Sequence, residues 1–132
     1  MAAVARDSGL IVGADVLEEL SWEEVQAFLD TLPPAHSYCT DQSTIYPDLY
    51  WPEGSTHLVS QAKELTHTIE SLNANLRHYL KRLCRRTRAF SKCIHALRRA
   101  VRLFVWYYNR RQRIILARHL SKHDRCAISL YA

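Results

Sequence analysis

The sequence predicts a mixed α/β fold in which short strands come first and two long helices follow. Three observations carry this expectation. Leu10–Val16, LIVGADV, is a β-branched run set behind the tight-turn residues Asp7-Ser8-Gly9. Ser21-Trp22-Glu23-Glu24 has the form of a capping box, in which a serine opens a helix and a glutamate three positions on supports it. From Leu65 onward, Leu65, Ile69, Leu72, Leu76, Tyr79, Leu80 and Leu83 recur at three- and four-residue steps, and Phe90, Ile94, Leu97, Val101, Phe104, Val105 and Tyr108 repeat the pattern. Such spacing places one apolar stripe along a helix.

Taken in order, Met1–Arg6 and Leu10–Val16 read as a hairpin whose first strand is cut short. The helix opened by Ser21 runs to about Leu32, with Trp22, Val25, Phe28 and Leu29 on its buried face. Pro33-Pro34 ends it, because the residue before a proline avoids helical backbone. Ala35–Thr40 is a short strand that delivers Asp41 at its end. Asp41–Gly54 is a loop with one helical turn at Ile45–Tyr50, and His57-Leu58-Val59 is a last small strand. A helix from about Ala62 to Thr87 and another from about Ser91 to Ala117 complete the chain, and the spacing leaves open whether they bend apart near Ser91.

At 132 residues the chain suits one domain, and a 48% hydrophobic content with three Gly and four Pro excludes a disordered segment. Charge is divided unevenly. Residues 1–54 hold ten of the thirteen acids and only Arg6 among the bases, so the remainder is strongly basic and points to an anionic partner, nucleic acid above all. Cys39, Cys84, Cys93 and Cys126 have no paired spacing and read as reduced thiols of a soluble, cytoplasmic protein. Val101–Tyr108 is interrupted by Arg102 and is far short of the about 20 apolar residues a membrane span needs. His57, His67, His78 and His95 scatter over different faces and suggest no zinc site.

Thr66–Lys92, THTIESLNANLRHYLKRLCRRTRAFSK, holds the most specific wording. Glu70 is the only acid between Glu64 and Asp124, and Arg77 follows it two helical turns later on the same side. Taken alone, these residues fit either a solvated flank or a metal or phosphate site. The run Ile69-Glu70, Asn73, Asn75-Leu76-Arg77, Leu80, Arg82-Leu83, Arg85 and Phe90-Ser91-Lys92 resembles the catalytic helix of InsB-type DDE transposases of bacterial insertion sequences. Tyr38-Cys39-Thr40-Asp41, with Tyr46-Pro47 after it, is similar to that family's strand ending in a Thr-Asp pair. The element order β, β, α, β, α agrees with the later portion of an RNase H-like fold.

The resemblance implies DNA transposition by metal-dependent phosphoryl transfer. Asp41 and Glu70 would be the second and third acids of the triad and the ligands of Mg²⁺ or Mn²⁺. Such sites suit hard oxygen donors and stabilise both the attacking and leaving oxygens of an in-line displacement. Asn73, Arg77, Lys81, Arg82, Arg85 and Arg86 would contact DNA. Asp7 reads as a turn residue, so residues 1–118 resemble the C-terminal portion of a catalytic domain without its first strand and first aspartate. Residues 119–132 form a basic tail. Sheet edges left unpaired in this way favour poor folding or association, and no strand-transfer activity is expected from the chain alone.

The partners implied are the ends and target of an insertion element, and either a second copy of the chain or an N-terminal portion, in the bacterial nucleoid. The rival reading is a non-catalytic basic module that binds DNA or regulates a transposase. The arginines from Lys81 to Arg113 support DNA contact under either reading. Trp106-Tyr107-Tyr108 before Asn109-Arg110-Arg111 resembles the family's aromatic-Asn-basic ending, with the aromatic rings expected in the core in preference to stacking on bases. A decayed reading frame is the plainest alternative.

Overall fold

The computed structural model describes residues 1–59, 67–81 and 93–120. Its strands are β1 (Ala2–Val4), β2 (Ile11–Ala14), β3 (Ser37–Thr40) and β4 (Thr56–Val59). Its helices are α1 (Trp22–Asp30), α2 (His67–Tyr79) and α3 (Ile94–Leu120), in the chain order β1-β2-α1-β3-β4-α2-α3. Among the described residues the protein is a mixed α/β fold with two two-stranded sheets and three helices.

β1 and β2 pair antiparallel as the sequence predicts, with a bulge between Ala3 and Val4. Gly9 closes their turn at a φ of 66°, a backbone region that costs a side-chain-bearing residue energy. Asp7 lies in the same turn, where its carboxylate accepts the Ser8 N–H at 2.8 Å. β3 and β4 pair parallel, Tyr38 opposite His57 and Thr40 opposite Val59. A parallel pair needs a crossover between its strands, and Asp41–Ser55 supplies it.

α1 begins as its sequence dictates: the Ser21 hydroxyl accepts the Glu24 N–H at 3.3 Å. The Glu24 carboxylate, however, takes the Glu18 N–H at 2.9 Å and so gathers in the connection from β2. Val25, Phe28 and Leu29 are buried, but Trp22 is 37% exposed. Its indole N–H donates to the Asp48 carbonyl at 2.9 Å, which holds the ring at the rim and corrects the expectation of a core position. The Gln26 side chain donates to the Tyr50 carbonyl and accepts the Tyr50 N–H, fixing the loop to α1. Residues 45–50 form turns and not the expected helical turn.

Two apolar clusters hold these parts. Val25, Leu29 and Leu49 form one, with Met1, Leu17, Tyr38, Tyr46 and Trp51 packed around it. Ile11, Leu72, Leu76 and Phe104 form the other, joined by Val4, Ile69, Val105 and Tyr108. The second cluster settles the helix question. A single straight helix would carry Leu76 and Phe104 about 42 Å apart, yet both meet at Ile11, so α2 and α3 pack separately on the hairpin. α2 ends at Tyr79 and Lys81 is in a tighter turn, earlier than the predicted end near Thr87; residues 82–92 lie outside the described residues.

α3 is keyed to β2 by polar contacts as well. The Asn109 side-chain carbonyl accepts the Ile11 N–H at 2.9 Å and its amide donates to the Ile11 carbonyl at 2.8 Å. These are the two bonds a neighbouring strand would otherwise make at that residue. Gln112 donates to the Ser8 carbonyl at 3.1 Å, one turn further along. Arg98 pairs with Asp15 at 3.2 Å near the helix start.

Candidate functional site

Asp41 follows β3 directly, at the carboxyl end of the parallel pair. It is exposed, and its carboxylate accepts the Ser43 N–H at 3.1 Å, which shapes the first bend of the loop. Tyr46 stands near enough to respond to it. Burial lifts the Tyr46 phenol above its ordinary value, and the Asp41 charge adds to that rise. A tyrosine held neutral beside a carboxylate can donate a hydrogen bond but is a poor base.

His57 is the polar group near Asp41 that sequence reasoning left without a role. Its Nε2 lies 2.7 Å from the Thr40 hydroxyl, the residue before Asp41, and its ring stacks on Trp51 at 4.1 Å and 18°. Desolvation by this packing lowers its basicity, so the ring favours the neutral form. Only the register of β3 on β4 brings Thr40 and His57 together, and no local pattern in the sequence announces a parallel register.

Glu70 lies in the first turn of α2 and is exposed. A carboxylate there is favoured by the helix dipole whatever its further role. Asn73 and Arg77 line a cleft of about 460 Å³ between α2 and the segment that leaves β2, together with Asp15, Glu18 and Glu19. The acidic wall makes that cleft a poorer seat for phosphate than the sequence spacing suggests. Lys81 is exposed just past α2, and Arg82, Arg85 and Arg86 lie outside the described residues. Among the described residues, no group of three or more His, Cys, Asp or Glu gathers to hold a metal ion.

Among the described residues the basic surface is concentrated on α3. Its 27 residues contain seven arginines and no acid. Trp106 and Tyr107, expected in the core, are 58% and 61% exposed, while Tyr108 is half-buried against Phe104. The cause is the Asn109 clamp, which sets the rotation of the helix: Phe104, Val105 and Tyr108 turn inward and their neighbours turn out. No helix among the described residues is long and apolar enough to cross a membrane. Comparison with protein-family models, curated proteins and solved structures found no match to this chain.

Proposed function

We propose that the chain acts on DNA as the later part of a DDE-transposase-type catalytic domain with a partial RNase H-like fold. Asp41 and Glu70 are two of its metal-binding carboxylates. The observation that supports this most is the order of strand pairing. An antiparallel hairpin and a helix precede a parallel pair, its first strand runs straight into Asp41, and the next helix carries Glu70 in its first turn.

The donor set suits a hard divalent cation, since both groups are carboxylates on the surface. Asp41 spends one hydrogen bond on Ser43, and a carboxylate has lone pairs beyond that one. Mg²⁺ or Mn²⁺ bound there would supply Lewis acidity toward a phosphodiester. The chain's own part is to supply the two carboxylates, with Tyr46 kept protonated near Asp41. Asp7 is committed to the hairpin turn and supplies no third carboxylate in this reading. The purified chain with Mg²⁺ and DNA is therefore expected to show no strand transfer by itself.

Glu70→Gln tests the metal assignment without a need for turnover. Ligand binding to the folded state raises the melting temperature, so Mg²⁺ is expected to stabilise the wild type and to leave the variant unmoved. DNA affinity should stay equal or rise, because a negative charge is lost. An equal Mg²⁺ response in both proteins would sink the assignment. The second reading, a non-catalytic module that holds DNA or regulates a transposase, is favoured by the arginine-rich, acid-free α3. It would then be the surviving one.

A further inference from the structure

We propose that the outward face of α3 is a binding platform for single-stranded DNA, with Trp106 and Tyr107 stacking bases and Arg102, Arg110, Arg111 and Arg113 holding phosphates. This deepens the DNA reading above and makes no use of Asp41 or Glu70. The face exists because the helix cannot rotate. Asn109 and Gln112 are bonded to the backbone of Ile11 and Ser8, and Leu97, Val101 and Phe104 are buried. At about 100° per residue, that leaves Arg102, Leu103, Trp106, Arg110 and Arg113 exposed on the other side with Tyr107 at the flank, and Arg111, two turns past Phe104, is exposed as well.

Two adjacent aromatic rings held open on a rigid helix forgo the burial that such side chains ordinarily gain. Here they are interleaved with cations. The Arg110 guanidinium lies 5.4 Å from the Trp106 ring centroid, and Arg111 repeats the same four-residue spacing from Tyr107. Tyr107, Arg110, Arg111 and Ile114 line a shallow hollow of about 340 Å³. Aromatic faces beside a row of positive charge are the means by which proteins hold single strands, since every base has a π-face and every nucleotide a phosphate. Duplex DNA keeps its bases inside the stack and would use the arginines alone. A lipid surface needs the apolar and basic side chains segregated. On α3, Arg99 and Arg110 fall between Trp106 and the exposed apolar strip of Leu103, Tyr107 and Ile114 around the axis, so cations and apolar groups alternate on this face.

The test is fluorescence anisotropy of a labelled oligothymidine of about 16 nucleotides, the upper site size of such platforms, against a duplex of equal length and an oligouridine, with the full chain. Wild type should prefer the oligothymidine, with Trp emission quenched on binding. Trp106→Ala with Tyr107→Ala should weaken the single strand about ten-fold or more, abolish most of the quenching and leave duplex affinity and the salt slope unchanged. Trp106→Phe with Tyr107→Phe, which keeps the ring faces, should retain most of the affinity and guards against a folding artefact. Arg110→Ala with Arg111→Ala should weaken both DNAs and flatten the single-strand salt slope by about 1.4.

Single-strand binding indifferent to the Ala pair, or duplex bound as tightly as single strand, would overturn the platform and leave the DNA reading standing. Tighter binding of the oligouridine would overturn the assignment to DNA. Binding of no nucleic acid at all, or of anionic vesicles alone, would overturn both.

Discussion

The two strand pairs of this molecule are built from similar numbers of residues and are guarded very differently. In the hairpin, β2 has α1 against Gly13 and α3 bonded to Ile11. In the parallel pair, β4 is exposed at Thr56, Leu58 and Val59, and only His57 turns toward a packed neighbour. Parallel strands are normally covered on both faces. The difference teaches that the hairpin is the structural centre to which the helices are fitted, whereas β3 and β4 are held through side chains of Tyr38, Trp51 and His57.

The sharpest way to break this contrast is at Gly13. A Cβ there would press on Leu32 and come within 3.3 Å of Phe28. Gly13→Val should destabilise the protein by about 3 kcal/mol through overpacking, whereas Val59→Thr on the open strand should change stability by about 0.5 kcal/mol or less. Urea unfolding compares them, and similar losses at both positions would contradict the asymmetry. Next in size is Asn109→Ala. It leaves the N–H and carbonyl of Ile11 without their partner, and should cost about 2 kcal/mol, the desolvation penalty of such orphaned groups.

The smallest effect belongs to the parallel pair and is read by pH. His57 has its basicity lowered in the fold from an ordinary value of 6.5. The unfolded chain therefore binds the proton more readily, so stability is full above that value and is lost as pH falls through the lower, folded one. Melting temperatures of wild type and His57→Gln should converge on acidification. A parallel pair of curves would remove His57 from the account.

What could be read ahead of the structure was what depends on near neighbours. The Ser21 cap, the Asp7-Ser8-Gly9 turn and the stripe through Leu72 and Leu76 are each written within a few residues. Trp22, Trp106 and Tyr107 were misplaced because hydrophobicity alone sends them inward. Their positions are set instead by Asp48 and by Ile11, the latter 98 residues from Asn109 in the chain. The expected metal pair, Asp41 and Glu70, falls after the end of β3 and in the first turn of α2, both exposed. The parallel register that sets His57 beside Thr40 has no local signature at all.

The crossover from Asp41 to Ser55 also has a bearing on how the protein comes to be folded. A hairpin closes a short loop and can form early, whereas β3 and β4 meet only after a long segment has been arranged around α1 through Gln26 and Trp22. Until they pair, β3 and β4 are open strands. Encounters between two such chains compete with closure within one, and they grow with concentration while closure does not. Refolding yield is thus expected to fall as protein concentration rises, with the pairing of Tyr38 and His57 the contact at stake.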